Sequence, residues 1–554
     1  MRSLLLALLI GCAHPRPQPP AATGAESAFL ADNDRAMSKM MTEMMARPSG
    51  DVDTDFVAMM SPHHQGAVDM AMLELRYGRN EQLKRLAQEI IVTQQDEIRA
   101  MAGALRVAPG GGGGGGPATA ARPSGDRVYA AEQFSNTVSV TDPATNTLLG
   151  LIRLGDPQPA NFSPLYRGQV LVHGLGASPD HRMIAVVSIG SNSVTFIDTA
   201  TNAVRHTTYV GRSPHEATFS PDGREVWVTV RGEDYLSVID ATTFAETARV
   251  HVPNGPGMVA FSPDGQLAYT CSSFTPELVV VRAADRSIVG HVPQASAFCP
   301  NLAVTPDGKQ VWLTLKDIGK TMVVRAAPPF DVLATLATGP ITNHVNFAGD
   351  VAYVTVGGES AVKLYRTRDF APVATIHVGA MPHGVWPSGD GKRVYVGLEN
   401  DDALVAIDTA SHRVVGTVPI GQAPQAIAYV PRAVPSGAGT DHLEALGVAG
   451  RATHLVLARV KDGTDATSVV LFDQGLAQVL QASATGLEPG KPYILGLAAS
   501  ATGPIEPLAR FTANPAGAAI VDATGPIRQL SEATSARRHL VIAPDGGAAI
   551  QISR

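Results

Sequence analysis

Residues 218–240, TFSPDGREVWVTVRGEDYLSVID, decide the fold because they hold one tight turn and two short strands of a unit that recurs along the chain. Ser-Pro-Asp-Gly is a turn sequence, and EVWVTV behind it has the composition of a strand. Related turns occur at six places, which are 178–181, 220–223, 262–265, 305–308, 347–350 and 388–391. The first four turn aspartates are 42, 42 and 43 residues apart. A period of this length with four short strands predicts a β-propeller.

The number of blades follows from the two ends of the repeat region, 126–432. Residues 127–155 supply only three strands of a unit, and the missing innermost strand reappears at residues 425–430. Pairing these ends closes the ring and removes the sheet edges through which β-proteins aggregate. The sequence therefore predicts an all-β propeller with seven blades.

The propeller is one part of a multidomain chain, since 554 residues exceed what one hydrophobic core organises. Residues 28–107 have a helical pattern that breaks twice at Gly- and Pro-containing segments. This pattern predicts a three-helix, ferritin-like α module. Its helices are expected near 28–46, 53–77 and 80–106.

Two further segments complete the predicted organisation. Residues 108–125 contain seven consecutive glycines and form a Gly-rich linker between the helices and the propeller. Residues 440–554 alternate like strands around turns, which predicts a small β-sandwich at the end of the chain.

Composition excludes several classes of protein. The net charge is −7 and no basic stripe is present, so nucleic acid is not an expected partner. The sequence has no Cys-x-x-Cys-His haem motif, no tryptophan-docking repeat of quinone-cofactor (PQQ) propellers and no nucleotide-binding motif. Of three cysteines, Cys271 and Cys299 fall in adjacent blades, where either two thiols or one disulfide would fit.

The first residues predict export. Residues 1–12 form a short signal peptide with an apolar run at 4–10, and residues 13–27 form a Pro/Ala-rich tether. Leu9-Ile10-Gly11-Cys12 resembles the lipobox of bacterial lipoproteins, which implies lipidation at Cys12. This resemblance predicts a protein anchored to the outer membrane and facing the periplasm. An ordinary secretory signal is the alternative, and it too places the mature protein outside the cytoplasm.

A second informative stretch, MMSPHHQGAVDMAM at residues 59–72, combines thioethers, imidazoles and a carboxylate on one predicted helix. Thioether and imidazole together are the ligands of soft or borderline transition ions, copper above all. The candidate metal ligands of the helical module are His63, His64, Met59, Met60, Met70, Asp69, Glu97, Met101, Met40 and Met44. Methionine at helical spacing is also ordinary core packing, and adjacent histidines also suit a polar helix start, so these uses stay open.

The helical module resembles the DUF305 family. The shared pattern is D-x-x-F-x-x-x-M-x-x-H-H-x-x-A-x-x-M-A, followed by a helix with A-x-x-I-x-x-x-Q-x-x-E-I-x-x-M. The matching residues here are Asp53, Phe56, Met60, His63, His64, Ala67, Met70, Ala71, Ala87, Ile90, Gln94, Glu97, Ile98 and Met101. Members are small periplasmic helical proteins, some of them associated with copper. The resemblance implies copper binding here, in an oxidation state that the sequence does not give.

The propeller repeats resemble the YVTN family of seven-bladed propellers, a match that is specific for the fold. Counting seven residues back from the turn aspartates reaches His173, His215 and His383, and His344 lies one residue beyond the equivalent position. These four residues are expected to ring one mouth of the central channel. They form a possible ligand or metal site, although Pro-His-Gly also serves as a structural turn element in such repeats.

Three functions therefore remain open. The leading hypothesis is a lipid-anchored envelope protein that binds copper through its Met/His helices and uses the propeller as a scaffold, without catalysis. The second is a propeller-based periplasmic enzyme, redox or lactonase-like, with a histidine-lined channel mouth. The third is a metal-free scaffold that binds protein partners on a propeller face.

Overall fold

A computed structural model describes residues 24–45, 49–80, 83–84, 87, 90, 125–156, 169–474, 477–525 and 538–554. The chain divides into two compact units, Met1–Ala120 and Ala121–Arg554. Within the described residues, no helix is both long enough and apolar enough to cross a membrane.

Among its described residues, the first unit has the helices α1 (Gly24–Glu43) and α2 (Val52–Tyr77). The Asp51 side chain caps α2 by accepting a hydrogen bond from the Thr54 amide, and the helix continues through Pro62. The two helices pack together where Gly66 leaves room for the side chain of Met40. A Cβ at position 66 would lie within 2.4 Å of the Met40 sulfur.

The predicted three-helix, ferritin-like module is not confirmed. Of the third helix expected near 80–106, the structure describes Asn80 and the helical residues 83, 84, 87 and 90. The candidate ligands Glu97 and Met101 lie outside the described residues, as does Cys12.

In the part of the chain that the structure describes, the second unit begins with 28 strands in seven four-stranded sheets. In chain order they are β1 (Arg127–Glu132), β2 (Thr137–Asp142), β3 (Thr147–Arg153), β4 (Val172–Ala177), β5 (Met183–Ser188), β6 (Ser193–Asp198), β7 (Val204–Tyr209), β8 (Pro214–Phe219), β9 (Glu225–Val230), β10 (Tyr235–Asp240), β11 (Glu246–His251), β12 (Pro256–Phe261), β13 (Leu267–Ser272), β14 (Glu277–Arg282), β15 (Ser287–Pro293), β16 (Leu302–Val304), β17 (Gln310–Leu315), β18 (Lys320–Arg325), β19 (Val332–Ala337), β20 (Thr342–Ala348), β21 (Val351–Val356), β22 (Ala361–Arg366), β23 (Pro372–His377), β24 (Pro382–Pro387), β25 (Arg393–Leu398), β26 (Ala403–Asp408), β27 (Arg413–Pro419) and β28 (Pro424–Val430).

The sheets are the seven blades of a closed propeller, as the repeat predicts. Blade one has the order β28-β1-β2-β3, so the last strand pairs with the first, with Val430 opposite Arg127. Blades two to seven take four consecutive strands each, beginning with β4, β8, β12, β16, β20 and β24. These six strands and β28 are the innermost strands and line the central channel.

The core lies between the blades. The second strand of each blade is apolar because neighbouring blades cover both of its faces; β9, for example, is buried from Val226 to Val230. The outermost strands are partly exposed, as in β11. A disulfide joins Cys271 on β13 to Cys299 in the segment before β16.

The last part of the chain forms one eight-stranded sheet. Its strands are β29 (Ala452–Arg459), β30 (Asp465–Gln474), β31 (Ala477–Ala484), β32 (Pro492–Ala498), β33 (Glu506–Thr512), β34 (Ala519–Gly525), β35 (His539–Pro544) and β36 (Gln551–Ser553). The order is β33-β32-β35-β36-β29-β30-β31-β34, and the two edge strands contact each other. The predicted β-sandwich is therefore wrong in detail. A single sheet that curls until its ends nearly meet encloses the core that two packed sheets would otherwise share.

This C-terminal sheet lies on the propeller end where the innermost strands begin. Phe472 of β30 packs on Phe134, which follows β1, with ring centroids 4.5 Å apart. The Asn400 amide, in the turn after β25, donates to the Ser468 and Ser483 hydroxyls. The sheet therefore covers one mouth of the channel.

Candidate functional site

Four histidines meet at the covered mouth of the channel. We call His173, His215, His344 and His383 the imidazole cluster; they lie on β4, β8, β20 and β24 and are 4–6% exposed. Ring centroids are 4.3 Å apart for His173 and His215, 6.4 Å for His173 and His383, and 4.6 Å for His344 and His383. The structure thus brings together all four channel residues that the repeat places at this level.

A β-bulge aims each side chain inward. In β8, Pro214 pairs with Val230 and Ala217 with Val228, so β8 has one residue more than its partner over this step. The same shift occurs in β4, β20 and β24. Bulges often re-aim side chains next to functional sites. Here the residues inside the bulges are His173-Gly174, His215-Glu216, Asn343-His344 and His383-Gly384.

Backbone carbonyls orient two of the rings. Nδ1 of His215 lies 2.7 Å from the Gly257 carbonyl oxygen, and Nδ1 of His383 lies 2.7 Å from that of Gln425. A carbonyl can only accept, so each Nδ1 carries the proton and each Nε2 keeps its lone pair. Histidines that bind metals are commonly oriented in this way.

The rings are neutral and partly without partners. Burial lowers the pKa of His383 to about 3, and it lowers the pKa of the other three histidines well below the usual value. Nδ1 of His173 and Nε2 of His344 are buried and find no hydrogen-bond partner among the described residues. Neutral imidazoles bind a metal ion without first losing a proton.

Glu216 places a carboxyl group against the imidazoles. It occupies the second bulge position of β8, where β4 and β24 have glycine. Gly174 is needed beside it, because a Cβ there would lie 2.7 Å from the carboxylate of Glu216 and 2.1 Å from the His215 carbonyl oxygen. Burial raises the pKa of Glu216 to about 8, and its Oε1 has no hydrogen-bond partner among the described residues.

His173, His215 and Glu216 have the spacing of a metal site. Each offers one ligand atom, and these atoms lie within 4.8 Å of one another. Ligand atoms on a tetrahedral ion at about 2.1 Å are about 3.4 Å apart, so small side-chain rotations would complete the coordination. In the described part of the chain, no other group of His, Cys, Asp or Glu side chains has this spacing.

Three charged residues surround the cluster. Arg231, Lys316 and Glu399 each come directly after the second strand of a blade, namely β9, β17 and β25. Burial lowers the pKa of Lys316 to about 8 and raises the pKa of Glu399 above its usual range. Nε2 of His383 lies 3.9 Å from a carboxylate oxygen of Glu399. The mouth is therefore a closed polar site with charges of both signs.

The helical candidates are placed differently. His63 is exposed and His64 half-buried, with ring centroids 5.7 Å apart. Asp69 is already paired, since it accepts from the Gln65 amide at 2.8 Å and from Lys39 at 3.4 Å. Among the methionines, Met40 packs on Gly66, Met59 is 43% exposed, and the half-buried ones are Met44, Met60 and Met70.

The sequence predictions missed Glu216, Arg231, Lys316 and Glu399. Glu216 could have been noticed because it replaces the glycine of the Pro-His-Gly element. The other three could have been noticed because a charged residue follows an apolar strand at one repeat position. Counting seven residues back from each turn aspartate tests one position of each repeat. It therefore finds the histidines and none of these four residues.

Comparison with known proteins agrees with the architecture. The model of the YNCE-like beta-propeller family matches residues 100–435, more than half of the chain, and the chain belongs to this family. A domain of unknown function, DUF305, matches residues 13–105. Both resemblances expected from the sequence are thereby confirmed. No curated protein matches the chain.

Two solved structures are similar to part of this chain. A functionally unknown protein from Desulfotomaculum acetoxidans is 15% identical, with a TM-score of 0.48, over 55% of this chain and 98% of that one. Kuenenia stuttgartiensis hydrazine synthase is 16% identical, with a TM-score of 0.43, over 60% of this chain and 98% of that one. Neither similarity carries an argument about function.

Proposed function

We propose that this protein binds a first-row transition metal ion at the covered mouth of its propeller, through His173, His215 and Glu216. One observation carries the proposal, namely that these three buried groups offer ligand atoms within 4.8 Å of one another. Two buried atoms among them, Nδ1 of His173 and Oε1 of Glu216, lack a hydrogen-bond partner among the described residues. A bound cation would satisfy them.

The ligand chemistry favours a particular range of ions. Imidazole suits zinc, copper, iron and nickel, and one carboxylate with two imidazoles leaves coordination positions open. A buried carboxyl group whose pKa is about 8 is costly to ionise in isolation, and a cation at the cluster would stabilise its charge. His344 and His383 adjoin the site and could act as further ligands.

A second candidate function is copper binding by the helical module. The adjacent rings of His63 and His64 support it, as do Met59, Met60 and Met70, which are exposed or half-buried. With the lipobox-like ending at Cys12, this supports a protein of the bacterial envelope that holds copper outside the cytoplasm. The two sites are compatible in one chain.

The test is metal content of the full chain. After loading with Zn²⁺ or Cu²⁺ and dialysis, we expect the His173→Gln/His215→Gln variant to lose about one ion per chain relative to the unchanged protein, as measured by elemental mass spectrometry. The matched control is His251→Gln/His291→Gln, which alters two exposed histidines on outer strands. His63→Gln/His64→Gln measures the helical site separately. Unchanged content in the channel variant would exclude the channel proposal.

A further inference from the structure

Two cations, one half-buried and one buried, lie beside the imidazole cluster. The Arg231 guanidinium lies over the rings of Phe274 and Phe298, with its central carbon 5.7 and 5.8 Å from their centroids. Lys316 is only 9% exposed. Both follow the second strand of a blade, at the repeat position where Glu399 lies 3.9 Å from Nε2 of His383.

Neither cation has a carboxylate partner within 4 Å among the described residues. Burial alone accounts for the lowered pKa of Arg231, and no acid raises it. Glu399 and, more weakly, Asp522 act on Lys316 only from beyond ion-pair distance. Aromatic rings hold the Arg231 side chain in place and leave its N–H groups available for a planar anion.

Other buried polar atoms at this level also lack partners among the described residues. They are Oγ of Ser273, Oε2 of Glu399 and Oε1 of Gln481. Ser273 follows β13 at the repeat position that Arg231 and Lys316 occupy in their blades. Unpaired buried polar groups are rare in native proteins, so a polar ligand or ordered water is expected to meet these atoms.

The charges at the mouth point to the sign of that ligand. A divalent ion with Arg231 and Lys316 would bring four positive charges, and Glu216, Glu399 and Asp522 bring at most three negative ones. The four imidazoles are neutral. At least one positive charge would remain uncompensated at the mouth, where unpaired charge is strongly unfavourable.

We propose that the channel mouth binds a small anion whose oxygen atoms belong to carboxylate or phosphoryl groups, with one end on the metal ion and the other on Arg231 and Lys316. This proposal rests on the proposed metal site for its full affinity. The open coordination positions of the ion would receive one oxygen, and the guanidinium fork matches a carboxylate or phosphoryl group in a bidentate manner.

The test is calorimetric titration of the full chain with malonate and, separately, inorganic phosphate, in metal-free and Zn²⁺-loaded protein. We expect the loaded protein to bind at least one of these probes, and Arg231→Gln and Lys316→Gln each to weaken that binding about tenfold. The controls are Arg224→Gln and Lys392→Gln, exposed residues of two SPDG-like turns, which should change nothing. The stronger probe identifies the carboxylate or the phosphoryl class.

The outcomes separate the two proposals. Metal retention without any anion binding, or with equal affinity in the Arg231 and Lys316 variants, overturns the anion site and leaves the metal site standing. If the chain retains no metal after loading but still binds a probe in an Arg231-dependent manner, the result supports the anion site and contradicts the metal site. Should Arg231→Gln not fold, Arg231→Lys keeps the charge and removes the fork, and an unchanged affinity for the probe would then overturn the bidentate contact.

Discussion

Thr229 and Thr355 occupy one position of the repeat and fasten two of the bulges that shape the site. The Thr229 hydroxyl accepts from the Glu216 amide at 3.0 Å and donates to the Gly257 carbonyl at 3.2 Å. Thr355 likewise accepts from the His344 amide and donates to the His383 carbonyl. A hydroxyl can do both because it is donor and acceptor at once. Thr229 and Thr355 thus each tie a bulge to the innermost strand of the next blade.

Thr229→Val tests this role at the scale of one residue. Valine has nearly the same shape but cannot accept the Glu216 amide hydrogen, which would stay buried and unpaired. We expect a loss of about 1–3 kcal/mol in the free energy of unfolding, measured by urea denaturation. The control Thr335→Val lies exposed on β19 and should change stability by less than about 0.5 kcal/mol. Equal effects of the two substitutions would contradict the role of the hydroxyl.

At this scale the sequence predicts at which height along the channel the histidines lie, but it does not predict which residues contact them. Seven residues before each turn aspartate is a fixed distance along a strand, so the count leads to His173, His215 and His383. The bulge adds one residue to the strand, and this addition turns Glu216 into the channel together with His215. Bulges depend on contacts between neighbouring blades, which a single repeat does not encode.

Among the elements, β29 is held on the propeller by an ion pair between His454 and Asp402, 3.0 Å apart. The hydrogen bond to Asp402 raises the pKa of His454 above its usual value. Burial raises the pKa of Asp402, and the histidine opposes that shift only in part. The contact therefore links β29 to the turn after β25 most strongly when the imidazole is protonated.

This contact predicts a pH dependence of stability. Because the pKa of His454 is higher in the folded state, its stabilisation is complete below the unfolded value of about 6.5 and is lost as pH rises through the folded value. The melting temperature of His454→Gln should lie below that of the unchanged protein at pH about 6 and approach it at pH about 8.5. The control is the exposed His377→Gln. A gap that widens with rising pH would contradict the assignment.

Strands are predicted correctly where the local sequence pattern is sufficient. The arrangement of the C-terminal strands is predicted wrongly because it depends on how the whole sheet closes. Short apolar strands after each turn, such as β9 and β17, are evident from sequence because both faces are buried. The C-terminal strands are equally evident. However, a single curled sheet and a sandwich of two sheets require the same alternation of apolar and polar residues. Contact between β33 and β34 distinguishes them, and it depends on the twist of the whole sheet.

For the whole molecule, the C-terminal sheet controls access to the imidazole cluster. Phe472→Ala removes half of the contact with Phe134, and truncating a buried phenylalanine costs about 3–5 kcal/mol. We expect diethyl pyrocarbonate to modify the cluster at least about tenfold faster in this variant, since 1.4 kcal/mol in an opening equilibrium is a factor of ten. Modification is followed by absorbance.

The control for this experiment is Phe511→Ala. Phe511 stacks on Tyr493 inside the C-terminal sheet, with centroids 5.8 Å apart, and the change weakens the sheet without touching Phe134. Slower or equal modification in Phe472→Ala would show that the sheet does not protect the mouth. The sequence predicts the seven blades but gives no sign that a later domain covers one end of them.

The pairing of β28 with β1 also sets an order of events in the life of the chain. The two strands are about 300 residues apart, and contacts between such distant segments form late in folding. His173 and His383 lie on opposite sides of this junction, in blades two and seven. The two histidines can therefore come together only after synthesis has passed residue 430 and β28 has paired with β1. A partly made chain lacks the complete four-ring cluster, so that cluster is assembled only by a finished propeller.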